Sequence, residues 1–211
     1  MAHYIQTLIS QGEHQHLDFK FEISDARKIA RSFVAFANTG GGKLLIGVKD
    51  NGVIAGVRTE EELYMVEAAA SYYCTPPVPY SLSKWEYDGK TVLEVSIPEG
   101  AQKPYYAKQK DTPPEAYIRV ADENIKACNI QLIVWKKQKH PSGLFITDAG
   151  NKSRLLAYLE EHPSITFGTA CKLLMISRKK IEQLLADLIY LNILEIEYHQ
   201  DKVLFQMCHK A

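Results

Sequence analysis

The chain has 211 residues, 46% of them hydrophobic and 24% charged, which provides for two modest hydrophobic cores and excludes disorder as the overall state. Its 25 Lys+Arg balance 25 Asp+Glu, and the balance is local as well: 16 against 17 over residues 1–137, and 9 against 8 over 138–211. Bulk charge therefore announces no polyanionic partner, and any such partner has to be argued from where the cations sit.

Near the start, His14, His16 and Asp18 alternate, so on a strand they share one face. That face is read either as an ordinary polar strand face or as part of a metal site. Ser24-Asp25 caps a helix running to about Asn38, with Ala26, Ile29, Ala30, Phe33 and Ala37 on its apolar stripe. Arg27, Lys28 and Arg31 share its polar flank, open to solvent or to phosphate. Gly40-Gly41-Gly42 stops the helix, and residues 43–49 read as a strand leading into the tight turn Asp50-Asn51-Gly52. The order helix, glycines, strand, with Leu44 where a P-loop needs Ser or Thr, excludes a Walker phosphate site at Gly40-Gly41-Gly42-Lys43.

Thr59 and Glu62 have the spacing of a capping box, for a helix reaching about Tyr73. Residues 80–87 and 91–97 flank Asp88-Gly89 and form a hairpin. Lys103, Tyr105 and Tyr106 fall in a loop, where aromatic and basic groups serve binding more often than packing. A strand over 116–120 puts Tyr117 and Arg119 on the same face, either to meet a base and a phosphate or to pack across strands. A helix from about Glu123 to Lys137 completes the first domain. Hairpins with interspersed helices give an α+β class with a mixed or antiparallel sheet.

The seam Lys139-His140-Pro141-Ser142-Gly143, continuing to about Gly150, reads as a linker. The domains expected are thus 1–138, a linker over 139–150, and 151–211. In the last of these, helices over 152–162, 166–174 and 177–191 precede two short strands, 193–198 and 202–206, around His199-Gln200-Asp201. On the third helix, Ile181, Leu184, Leu185, Leu188 and Leu191 share one side. Three helices and a hairpin make a winged helix-turn-helix, with a generic bundle as the competing reading. Ser177-Arg178-Lys179-Lys180 opens the third helix, the end that enters the major groove in this motif. Three cations there oppose the helix macrodipole, as if held for an anion. Lys202, in the wing, would add a backbone contact.

The four cysteines, Cys74, Cys128, Cys171 and Cys208, are too dispersed for a zinc site or a small disulfide framework and suit free thiols in a reducing compartment. No apolar run reaches the roughly 20 residues of a membrane span, and Met1-Ala2-His3-Tyr4 lacks the basic and apolar regions of a signal peptide. A cytoplasmic protein without a membrane partner is expected.

The run Ala35-Phe36-Ala37-Asn38-Thr39-Gly40-Gly41-Gly42-Lys43-Leu44-Leu45-Ile46-Gly47-Val48-Lys49-Asp50-Asn51-Gly52-Val53-Ile54-Ala55-Gly56 resembles the signature of the Schlafen AlbA_2 family. Glu13 with Asp18-Phe19-Lys20, then Lys103-Pro104-Tyr105, then Tyr117-Ile118-Arg119-Val120 agree in order, so the resemblance covers roughly residues 10–130. It implies an α+β fold associated with nucleic acid, often ahead of a helix-turn-helix in prokaryotic regulators. Some relatives carry an ATP-binding label, which no residue pattern here supports. Some eukaryotic Schlafen proteins are metal-dependent ribonucleases with three acidic residues, and by motif position Glu13, Asp18 and Asp50 correspond to them, although Asp18 replaces a more usual Glu. Such a site would hold Mg or Mn to activate water.

The reading favoured by the sequence is a non-enzymatic DNA-binding protein without cofactor, a transcriptional regulator that contacts duplex DNA through Ser177, Arg178, Lys179, Lys180 and Lys202. Lys103, Tyr117 and Arg119 would add nucleic-acid contacts from the first domain, which would also serve dimerisation or sensing. A metal-dependent nuclease is the alternative, and a protein–protein adaptor is a third class.

Overall fold

The computed structural model describes residues 4–57, 60–140, 149–199 and 202–208. The chain divides after Lys126 into two compact units, each described by itself.

The first unit opens with α1 (Tyr4–Ile9) and β1 (Leu17–Lys20), followed by α2 (Ala26–Asn38) and β2 (Gly42–Ile46). Asp25 caps α2 by accepting the Arg27 N–H at 2.9 Å. Beyond Gly47 the chain turns back at Asp50-Asn51-Gly52, where Gly52 takes φ +80 and Val48 bridges to Ile54. Next come α3 (Glu61–Glu67), a single π-helical turn (Ala68–Tyr72) and β3 (Cys74–Thr75). Thr59, half of the expected capping box, lies outside the described residues. Then follow β4 (Ser81–Tyr87), β5 (Lys90–Ile97), β6 (Tyr106–Ala107), β7 (Tyr117–Val120) and β8 (Glu123–Lys126).

The main sheet has the order β1-β2-β5-β4; β1 runs parallel to β2 and the other pairs are antiparallel. The β4–β5 hairpin closes through Asp88 (φ +49) and Gly89 (φ +67), the left-handed pair that an Asp-Gly turn supplies. Alternation along the strands divides two cores. Leu44 and Ile46 of β2, with Leu93, Val95 and Ile97 of β5, pack against Phe33, Phe36 and the rest of the α2 stripe. Leu45 and Val92 point the other way and pack with Leu17, Phe19 and Ile5 of α1. At Gly42, β2 passes close under α2: a Cβ there would lie 2.3 Å from the Phe36 ring.

Residues 123–126 form β8, paired antiparallel with β7, where the sequence reading expects the start of a helix. The hairpin turns at Ala121, which takes φ +53 although alanine carries no turn signal.

The second unit starts with α4 (Asn129–Lys139), then α5 (Ala149–Glu161), β9 (Ile165–Thr166), α6 (Phe167–Leu174), α7 (Arg178–Tyr190), β10 (Leu194–Tyr198) and β11 (Val203–Met207). Its sheet has the order β10-β11-β9, all antiparallel. α4, expected to close the first domain, packs on α7 instead: Ile130 and Val134 join Ile181, Leu184, Leu185 and Leu188 in one core, and Lys137 pairs with Asp187 at 2.8 Å. Of the expected linker, residues 141–148 lie outside the described residues, as do Gln200 and Asp201 of the expected wing.

Thr166 caps α6 by accepting the Thr169 N–H at 3.1 Å. α6 ends on Met175 in the left-handed conformation (φ +54), and only Met175, Ile176 and Ser177 separate it from α7. Leu191, expected on the apolar side, follows the last turn of α7 and is 42% exposed. Among the described residues no helix is long and apolar enough to cross a membrane.

Candidate nucleic-acid interface

In the first unit, the strand–turn geometry gathers a buried polar network around Asp18. Asp18 lies in β1 and Arg119 in β7, both 2% exposed. Arg119 Nη2 donates to Asp18 Oδ1 at 3.3 Å and to the Leu17 carbonyl at 3.3 Å, and Nη1 donates to Asn124 Oδ1 at 3.1 Å. Asn124 donates in turn to Ser32 Oγ at 2.9 Å, and Ser32 Oγ donates to Asp18 Oδ2 at 3.3 Å. Lys20 Nζ approaches the same Asp18 oxygen as Arg119, at 3.0 Å, from the solvent side of the network. The Arg119 guanidinium also lies 5.3 Å from the Phe36 ring centre, and among the described residues its Nε has no hydrogen-bond partner.

Glu13 joins the network by accepting the Phe19 N–H at 2.8 Å. Burial pushes the Glu13 carboxyl up to about 7; its hydrogen bond to Asp18 and the Asp18 charge push the same way, against the Phe19 N–H and Lys20. Burial works against ionised Asp18 too, but the hydrogen bond from Glu13 and the charges of Lys20 and Arg119 outweigh it and hold Asp18 below the usual carboxylate range. Below about pH 7 the proton of this pair is therefore held on the Glu13 side while Asp18 stays ionised.

These positions correct the expected acidic triad. Asp50 is exposed in its turn, and among the described residues no three His, Cys, Asp or Glu side chains gather closely enough to hold a metal ion. A divalent cation at Asp18 would have to displace Lys20 and Arg119. Among the described residues this donor set does not fit a metal ion. His14 and His16 precede β1 in a turn rather than alternating along a strand: His14 Nδ1 accepts the His16 N–H at 3.1 Å, and His16 Nδ1 is bonded to the Gly41 carbonyl at 2.8 Å.

Tyr117 and Arg119 do share a face, but it is the inward one. Arg119 is closed off by Asp18, and Tyr117, 8% exposed, donates its hydroxyl to Glu115 at 2.8 Å. Neither is placed to meet a base or phosphate, which corrects that expectation. In the loop after β5, Tyr105 is buried, its N–H donating to Asn38 Oδ1 at 2.8 Å, and the Lys103 ammonium pairs with Glu99. Asn38 also donates to the Tyr105 and Tyr117 carbonyls, both at 2.9 Å, so this side chain ties three segments together. Its signal in the sequence was a lone amide ending an apolar stripe. Lys43 is engaged as well, with Nζ 2.6 Å from Glu94 Oε1. Beside it a cleft of about 730 Å³ opens between the glycine run and the segment carrying His14 and His16.

In the second unit, Ser177, Arg178, Lys179 and Lys180 are all exposed at the first turn of α7. Ser177 occupies the N-cap position, but its hydroxyl makes no capping bond. The Arg178 guanidinium lies 4.9 Å from the Phe167 ring centre, at the start of α6. Among the described residues none of the three cations is paired with a carboxylate. Lys202, just before β11, is also exposed.

Residues 13–128, more than half of the chain, match the sequence model of the Schlafen AlbA_2 family. The chain belongs to this family. The AlbA_2 match ends close to where the first unit does, at Lys126. No curated protein matches the sequence. Among solved structures, the chain is similar to the DIP2311 protein of Corynebacterium diphtheriae, with 17% identity and a TM-score of 0.48 over 70% of this chain; it spans 35% of that protein. It is also similar to the N-terminal domain of a RecG-related protein from Nitrosomonas europaea, with 21% identity and a TM-score of 0.41, over 68% of this chain and all of that domain.

Proposed function

We propose that this AlbA_2 protein binds duplex DNA through α7 and acts as a transcriptional regulator. The reading treats the second unit as a winged helix-turn-helix: α6 and α7 are joined by three residues, and β10 and β11 supply the wing beside β9. The observation that carries it is the exposed run Ser177-Arg178-Lys179-Lys180, whose charges meet no carboxylate among the described residues and sit where the helix dipole disfavours cations. A phosphate backbone would relieve both the mutual repulsion of these cations and their conflict with the dipole.

The test is binding of the full chain to a mixed-sequence duplex, followed by fluorescence anisotropy over a range of salt, with Arg178→Ala, Lys179→Ala and Lys180→Ala combined. Weaker binding with a shallower salt dependence supports the reading, and an unchanged salt slope removes it.

A further inference from the structure

We propose that a ledge on the first unit, built from Arg27, Arg31, Tyr72, Tyr73 and Lys108, is a docking surface for single-stranded nucleic acid. The proposal goes beyond the duplex contact of α7 and does not depend on it.

The ledge begins with α2, whose sequence contains no acidic residue. Arg27 and Arg31 are one turn apart and so share a face, with no i,i+4 carboxylate to offset their repulsion. Among the described residues neither arginine makes an ion pair, and Lys108 makes none either. All three charges lie against aromatic rings instead. The Arg27 guanidinium is 5.4 Å from the Tyr73 ring centre, that of Arg31 is 5.7 Å from Tyr117, and the Lys108 ammonium is 5.0 Å from Tyr72. A ring face holds a cation in place without neutralising it, so the charge stays available to an anion.

Hydrogen bonds fix these groups relative to one another. The Lys108 N–H donates to the Tyr73 carbonyl at 2.8 Å, and its ammonium donates to the Tyr72 carbonyl at 2.6 Å. Arg31 donates to Gln109 Oε1 at 2.9 Å. The loop after β6, the π-helical turn and α2 are thereby joined into one surface. Tyr72 and Tyr73 meet edge to face at 5.1 Å, and Tyr72 is 66% exposed. Of the carboxylates nearby, Asp25 caps α2 and Glu67 is bonded to Ser71 and Tyr80, while Glu115, bonded to Lys126 and Tyr117, also feels the Arg31 charge.

An exposed ring set among cations that make no ion pair among the described residues matches a ligand that alternates flat π faces with anionic groups. Single-stranded nucleic acid has that alternation, with bases stacking on aromatic faces and phosphates following the cations. A duplex keeps its base faces stacked inside, and an acidic peptide would leave the Tyr72 ring unused.

The full chain is titrated with labelled oligothymidylate and, separately, with a duplex, for the wild type, Tyr72→Ala, Tyr72→Phe, the combined Arg27→Ala/Arg31→Ala/Lys108→Ala variant and the combined α7 variant. Tyr72→Ala should weaken oligothymidylate binding about tenfold, Tyr72→Phe should restore it, and duplex binding should stay at the wild-type level in both. The ledge cation variant should weaken oligothymidylate binding and lower its salt dependence. No oligothymidylate binding by the wild type overturns the proposal, as does wild-type affinity in Tyr72→Ala. Equal competition by polyglutamate also overturns it, since it would mark an acidic-peptide site. Loss of oligothymidylate binding only in the α7 variant overturns it while leaving the duplex reading intact; loss of duplex binding there alone leaves the ledge intact.

Discussion

Asp18 and Arg119, 101 residues apart in sequence, meet at 3.3 Å where each is almost closed to solvent, so β1 and β7 are tied together by one buried ion pair. Removing one partner of such a pair costs about 3–5 kcal/mol, because the other charge is left buried. Arg119→Ala is expected to fall at the lower end of that range, since Lys20 still faces Asp18 at 3.0 Å. Replacing both, as Asp18→Asn with Arg119→Met, should cost less than the sum of the single changes. Urea denaturation of the four proteins measures the coupling, and additive losses would contradict it.

The proton held on Glu13 beside Asp18 gives stability a pH dependence of known sign. Glu13 titrates near 7 when folded, against 4.5 for the free side chain, so the folded chain binds more protons in that window. Its stabilising contribution is complete below about 4.5 and is lost as pH rises through about 7. Asp18 has the opposite sign: held below its ordinary 3.8, it stabilises above that value and loses the contribution as acid is added. A mildly acidic optimum is expected for this pair. Carboxyl NMR should give Glu13 a midpoint near 7 that drops in Asp18→Asn.

At α7 the expected loss is electrostatic rather than structural. Arg178, Lys179 and Lys180 are exposed, so their removal should leave the stability within about 0.5 kcal/mol of wild type. For every phosphate that the variant no longer neutralises, the slope of log affinity against log salt should fall by about one. Arg178 stacks on Phe167, so Phe167→Ala should reproduce part of the Arg178→Ala effect by freeing the guanidinium.

Gly42→Ala tests the packing of the glycine run. The added methyl would meet the Phe36 ring at 2.3 Å, and Phe36 is fully buried, so a loss of about 1–3 kcal/mol is expected. Phe36→Leu in the same chain should recover part of it; a double variant no more stable than Gly42→Ala would show that the clash lies elsewhere.

Local chemistry carried much of the fold into the sequence. Asp88-Gly89 supplies two left-handed residues and marks its hairpin, and the apolar periods of α2 and α7 mark their buried faces. The start of β8 was illegible because its turn is made by Ala121, whose φ of +53 is imposed by the pairing of β7 with β8. Period two put Tyr117 and Arg119 on one face, but the direction of that face was decided by Asp18, a partner no local pattern reveals. The basic flank of α2 was visible from its spacing. The rings that hold those cations were not, because Tyr72 and Tyr73 are brought there by a π-helical turn with no sequence signal.

The placement of α4 determines where this protein can be dissected. The Pro–Gly seam at residues 141–143 looks like the natural cutting point, yet a fragment starting beyond it would lack Ile130 and Val134 and leave Ile181 and Leu185 without part of their cover. Severing after Lys126 keeps that interior whole, so a piece beginning at Ala127 should stay monodisperse while one beginning at Ala149 should aggregate.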